Sequence, residues 1–179
     1  MLFLFGNNIN FVKIFIGADH AGFEMKQALI PFLRELGHEV EDKGATEFNA
    51  DDDYPDFIVP VACEVAKDPD NVRGIVIGGS GQGEAMAANR FKGVRAIVFN
   101  GQYEPKDGRY IPHEIETARK HNNANALSLG AHFLNESEAK EAVKLWLETP
   151  FSGEPRHVRR LKKIDDLVKA EAAVKEAAN

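Results

Sequence analysis

Cysteine is nearly absent: Cys63 is the single one in 179 residues. That excludes an internal disulfide and any cysteine-built metal cage. Its setting in the helix-like run DFIVPVACEVA (56–66) reads as a buried, unreactive thiol. Histidines number six, with no H-x-x-x-H or H-E-x-x-H spacing, so no resident metal is expected. No apolar run approaches the length of a membrane span. Positive charge is also short, with 22 Lys and Arg against 28 Asp and Glu and a net charge of −6. A general nucleic-acid binder would carry a basic face, so that class is set aside, and any anionic ligand must be met by a local cluster of cations. Linkers, internal repeats and low-complexity tracts are missing too, which leaves one domain, expected over residues 12–179. Residues 1–11, MLFLFGNNINF, lack the basic flank of a signal peptide and are broken by Gly6 and three asparagines. They are expected to be a loose extension, and the chain is read as cytoplasmic.

What is present is a regular alternation. VKIFIGA (12–18) is a short β-rich run, followed by a helical pattern from Gly22 to Leu36 that Pro31 should bend or interrupt and Gly37 should stop. HEVEDKG (38–44) is a second strand, 55–67 a helix opening on Pro55, RGIVIGG (73–79) a third strand and 84–91 a helix. VRAIVF (94–99), a helix at 114–120, NALSLG (125–130) and helices at 136–148 and 156–177 complete the chain. Strand and helix in turn predict a doubly wound α/β domain, a five-stranded parallel sheet with helices on both faces in a Rossmann-like three-layer sandwich. In such folds ligands sit beyond the carboxyl ends of the strands. That rule selects GADHAG (17–22), the glycine loop after the third strand, and FNGQYEP (99–105).

The loop reads Gly78-Gly79-Ser80-Gly81-Gln82-Gly83-Glu84. It is neither G-x-G-x-x-G nor a P-loop, since no Gly-Lys-Ser/Thr follows. Four glycines in six positions exceed what a turn needs and suggest close backbone approach to a ligand, with N–H groups aimed at an oxyanion. Glu84 in a first helical turn is by itself only a dipole-satisfying residue. Beside a loop of N–H donors it becomes a candidate base, removing a proton while the loop holds the negative charge that forms. Asp19 and His20 end the first strand, where a plain turn is the simpler alternative. His121 and Asn122 precede the fifth strand, and the histidine is a candidate acid partner for Glu84. A Ser80–His121–Asp19 triad lacks the G-x-S-x-G elbow. EPRHVRRLKKIDDLVKAEAAV (154–174) supplies the cation cluster: Arg156, Arg160 and Lys163 share a helical face beside an apolar stripe of Val158, Leu161, Ile164, Leu167, Val168 and Ala172. Such a run is a solvated face by default, and arginines one turn apart also suit a phosphate.

Taken in order, GADHAGFEMK, DYPDF, GGSGQGEAMAAN, GVRA, HNNAN…LG and RHVRR resemble the ribose-5-phosphate isomerase B family, which includes the galactose-6-phosphate isomerase subunits, from about Val12 to Leu167. The resemblance implies a cofactor-free homodimer with composite sites, acting in the pentose phosphate pathway on ribose 5-phosphate and ribulose 5-phosphate through an enediolate. Many members carry a cysteine base at the position of Gly78, whereas a subset has glutamate at that of Glu84. The resemblance therefore assigns Glu84 as base, Gly79, Ser80, Gly81, Gln82 and Gly83 as the oxyanion cradle, and Asp19 and His121 to sugar ring opening. His20, Asn122, Arg156 and Arg160 match substrate and phosphate contacts. Two departures stand out: His132 where the family usually has an arginine, and the long NGQYEPKDGRYIPHEI connection (100–115), a candidate lid or specificity element. These leave galactose 6-phosphate, allose 6-phosphate or a tetrose phosphate as alternative substrates, and a non-catalytic sugar-phosphate binder as an alternative of another class.

Overall fold

The computed structural model describes the backbone of residues 11–177 and the side chains of residues 11–167. Residues 1–10 of the expected extension, and Val168 and Ala172 of the apolar stripe, therefore fall outside the described side chains. The order of elements is β1 (Lys13–Ala18), α1 (Phe23–Glu35), β2 (Glu39–Asp42), α2 (Pro55–Lys67), β3 (Val72–Gly78), α3 (Gln82–Ala88), β4 (Ala96–Phe99), α4 (Glu114–Asn122), β5 (Ala126–Gly130), α5 (Glu136–Glu148) and α6 (Pro155–Ala177). All pairings are parallel, in the order β2-β1-β3-β5-β4.

Alternate residues of the central strands feed two cores, because successive side chains leave opposite faces of a sheet. Ile14, Ile16, Ile75, Ile77, Leu127 and Leu129 pack with Leu29 and Leu33 of α1, Ile115 of α4, and Val143 and Trp146 of α5. Phe15, Val76 and Ala126 meet Ile58, Val61 and Val65 of α2 and Ala88 of α3. Each such large side chain contributes roughly 1.5–3 kcal/mol on burial. That burial carries α1 through Pro31: the helix is continuous and the proline is exposed. Gly37 closes it at φ +91°, with His38 N donating to Leu33 O at 3.1 Å. Lys26, fully buried, donates to both Asp42 oxygens at 2.7 Å and to Ala45 O at 2.6 Å, locking α1 to the end of β2.

The register sets the geography of the site. Gly78 lies level with Gly130, and Gly74 with Ala126. The glycine loop thus leaves the carboxyl edge of the sheet, while α4 enters β5 from the amino edge. No helix among the described residues is long and apolar enough to cross a membrane.

Candidate active site

α3 starts at Gln82, two residues before the expected Glu84, with Gly81 as its N-cap in the left-handed region at φ +73°. Glu84 is therefore in the first turn and is only 4% exposed. Its carboxyl group turns back under the loop into the place a side chain on Gly78 would fill. The remaining glycines make room in the same way. A Cβ on Gly79 would come within 2.8 Å of the His132 ring, and one on Gly83 within 2.9 Å of the Tyr54 ring. The room those glycines leave is taken by the site's own side chains.

Burial raises the Glu84 pKa, and the nearby Asp19 charge raises it further, against a lowering hydrogen bond from its own backbone amide. A carboxylate moved upward in this way is a stronger base at neutral pH. Asp19 is buried and accepts from Ala21 N at 3.0 Å and Gly22 N at 3.1 Å, which closes GADHAG into a turn. That turn abuts the loop: Asp19 N donates to Ile77 O at 3.3 Å, and Gly22 has no room for a Cβ above Ile77. His20 is fixed by Asp52, which accepts from its backbone N–H at 3.1 Å and lies 2.6 Å from its Nδ1. The Asp52 bond raises the His20 pKa, with Asp19 and Asp51 adding to it against partial desolvation. Asp19, His20 and Asp52 could also present three ligand atoms to a cation. Two of these groups are already committed to holding the turn and the imidazole.

The other candidates gather at the opposite edge. His121 and Asn122 end α4, and His121 lies against His157 of α6, ring centroids 4.4 Å apart. His157 is buried and lies 2.7 Å from Ser152 Oγ, through Nδ1; desolvation lowers its pKa and the neighbouring His121 lowers it further. Arg156 and Arg160 are exposed on the same helix, Arg156 paired with Glu154 at 2.8 Å. Arg119 secures this group by donating to Thr149 O at 3.1 Å, Asn123 Oδ1 at 2.9 Å and Ala124 O at 2.7 Å. Burial and the charges of Arg73 and Arg95 lower the Arg119 pKa to about 10.

The candidates of one chain therefore fall into two separated groups. Asp19, His20, Ser80, the glycine loop, Glu84 and His132 lie at the carboxyl edge, and His121, Asn122, Arg156 and Arg160 at the amino edge. The intervening length of β5 is about 13 Å at roughly 3.3 Å per residue. A Ser80–His121–Asp19 triad and a direct Glu84–His121 pair within one chain are excluded by this separation. The long connection after β4 runs toward α4, with Glu114 N donating to Gln102 Oε1 at 2.9 Å, and exposes Tyr103 and Tyr110. Among the described residues, none of its hydrogen bonds reaches the glycine loop from residues 101–113. Sequence reasoning missed Asp52, Tyr54, Arg119 and His157 as parts of the site. DDDYP (51–55) and RKHNN (119–123) were visible as polar loops, but only the fold shows which member turns inward.

The model of the family described as ribose/galactose isomerase matches residues 14–164. The chain is 39% identical over 150 residues to ribose-5-phosphate isomerase B of Mycolicibacterium paratuberculosis, covering 84% of this chain and 87% of that one. Identity to the Mycobacterium tuberculosis protein of the same name is 40% over 151 residues, covering 84% and 86%. The crystal structure of ribose-5-phosphate isomerase B from Mycoplasma genitalium with bound ribulose-5-phosphate superimposes with a TM-score of 0.80 at 38% identity, covering 88% of this chain and 97% of that one.

Proposed function

The chain belongs to the ribose/galactose isomerase family, and from that premise we propose that it isomerises its sugar with Glu84 as the base, in a site completed by a second copy of itself. The reaction is the interconversion of ribose 5-phosphate and ribulose 5-phosphate. Glu84 takes the proton from C2 of the open-chain aldose and returns it to C1, while the enediolate oxygen at C1 meets the N–H groups of residues 79–83 and a proton passes from O2 to O1 to complete the ketose. The observation that carries this is the Glu84 carboxyl, buried and turned into the space beneath Gly78. A cysteine at position 78 and this glutamate would compete for the same volume, so a chain with Gly78 is built for the carboxylate. Ser80 supports the cradle, Asp19 and His121 serve ring opening, and His20, Asn122, His132, Arg156 and Arg160 hold the sugar phosphate.

The separated half-sites support a homodimer, in which the amino-edge group of one copy meets the carboxyl edge of the other. So does a groove of about 620 Å³ between the 89–97 segment and α6, where Phe91, Val94, Ile97, Leu161 and Ile164 are mixed with the charged Arg90, Lys92, Arg95 and Asp165. Val158, Ile164 and Leu167 are exposed beside it. We read the enzyme as a cytoplasmic, cofactor-free member of sugar-phosphate metabolism.

Proton NMR of ribose 5-phosphate in D2O tests the chemistry. Wild-type protein is expected to form ribulose 5-phosphate carrying deuterium at C1 and, through the reverse step, ribose 5-phosphate carrying it at C2, and Glu84→Gln to do neither. A wild type that forms no ribulose 5-phosphate would refute the reaction; a Glu84→Gln enzyme retaining most activity would refute the base.

A further inference from the structure

Four consecutive carbonyls of the glycine loop are each tied down from one side. Gly78 O accepts from Ala131 N at 2.8 Å and Gly79 O from His132 N at 3.0 Å. There the backbone supply ends, because the chain turns away after β5 and the next two N–H groups, of Phe133 and Leu134, go back to Gly130 O. Side chains replace it. Ser80 O accepts from Asn100 Nδ2 at 3.0 Å, and Gly81 O from Ser128 Oγ at 2.6 Å as well as from Ala85 N at 3.1 Å.

Asn100 and Ser128 have no other evident task. Ser128 is fully buried in β5 with its hydroxyl committed to this bond. Asn100 follows β4 and reaches across the end of β5, where a Cβ on Gly130 would strike its carboxamide and lie 3.0 Å from Ser80 O. Its other amide atom, Oδ1, is buried without a partner. The bridge is therefore kept at the cost of an unpaired acceptor. Reversing the amide would set two carbonyl oxygens against each other.

A trans peptide is planar, so a tied carbonyl fixes the following N–H in the opposite direction. The four bonds thus aim the N–H groups of Gly79, Ser80, Gly81 and Gln82 away from β5. On the side to which they turn, Gln82 N meets Ser80 Oγ at 3.3 Å. Gly81, at φ +73°, is a residue whose peptide planes could otherwise rotate freely. We propose that Asn100 and Ser128 are positioning residues for the oxyanion cradle, holding the 80–81 and 81–82 peptides in the orientation that meets the enediolate. The proposal rests on the reading of residues 79–83 as that cradle. Neither residue touches substrate, so both should act on turnover rather than on binding of the sugar phosphate.

The test compares wild type with Asn100→Asp, isosteric but unable to donate as a carboxylate, and Ser128→Ala. Each is assayed for kcat and KM with ribose 5-phosphate, and for inhibition by a phosphorylated hydroxamate whose planar anion imitates the enediolate. Each variant is expected to lower kcat about tenfold or more, short of the roughly hundredfold loss of a whole oxyanion donor. Hydroxamate affinity should fall in parallel, with KM within about twofold of wild type. Unchanged kcat in both variants, or a loss seen in KM and melting temperature without the kcat and hydroxamate effect, would overturn the assignment. A wild type that binds the hydroxamate no better than ribose 5-phosphate would instead overturn the cradle itself, and this inference with it.

Discussion

At the scale of residues, the proposed chemistry rests most on the pair Gly78 and Glu84. A methyl group on residue 78 would displace the Glu84 carboxyl. Gly78→Ala is therefore expected to lower kcat about a hundredfold or more, as misplacement of reacting groups by about 1 Å does, with the melting temperature checked in parallel. Glu84→Gln separates activity from stability. Because burial raises its pKa in the native state, the folded protein holds this proton at pH values where the unfolded chain has released it. Native stability tied to Glu84 is then greatest at acid pH and falls as pH rises through the raised value. Glu84→Gln should accordingly raise the melting temperature more at pH 8 than at pH 4, while abolishing turnover. Asp52 acts through His20. Asp52→Asn removes the carboxylate charge behind the bond that raises the His20 pKa, so ring titration followed by NMR should move to lower pH, and the loss of affinity for ribose 5-phosphate with rising pH should move with it.

At the scale of elements, the strand and helix pattern was legible because apolar runs and breakers agree: every expected element exists, and bounds differ by a few residues. Pro31 misled because a proline inside a helix costs a hydrogen bond that the buried Leu29, Ile30 and Leu33 offset together. β4 begins at Ala96 rather than 94 because Arg95 N is held by Asn125 Oδ1 at 2.7 Å in the loop at the amino edge. The glycine loop was legible as a place of close approach, but not what approaches it, since the Tyr54 and His132 rings that need the room are distant in sequence. Helix attachment was not legible either. Arg119 looked like one more charge in RKHNN, yet it binds α4 to the turn before α6. Arg119→Met leaves Thr149 O without that donor and should cost about 1–3 kcal/mol in urea unfolding. It should also lower kcat/KM through the displaced His121 and α6 arginines, while the Glu84 half-site keeps its geometry.

At the scale of the whole molecule, the account turns on the two edges of one sheet. His121 was a sound candidate by chemistry, but spacing along a chain does not reveal that an element entering a strand and a loop leaving its neighbour point to opposite ends. That separation is the reason for the proposal that a second copy completes the active site and covers the exposed apolar residues of α6. The most direct measurement mixes two inactive proteins, Glu84→Gln and His121→Ala, after dissociation and reassociation, and follows conversion of ribose 5-phosphate. Random pairing gives half mixed dimers, each with one intact site and one doubly damaged site, so about a quarter of wild-type activity should return. If both groups served within one chain, every site in the mixture would still carry a lesion, and no recovery in dimers shown to have exchanged would contradict the account.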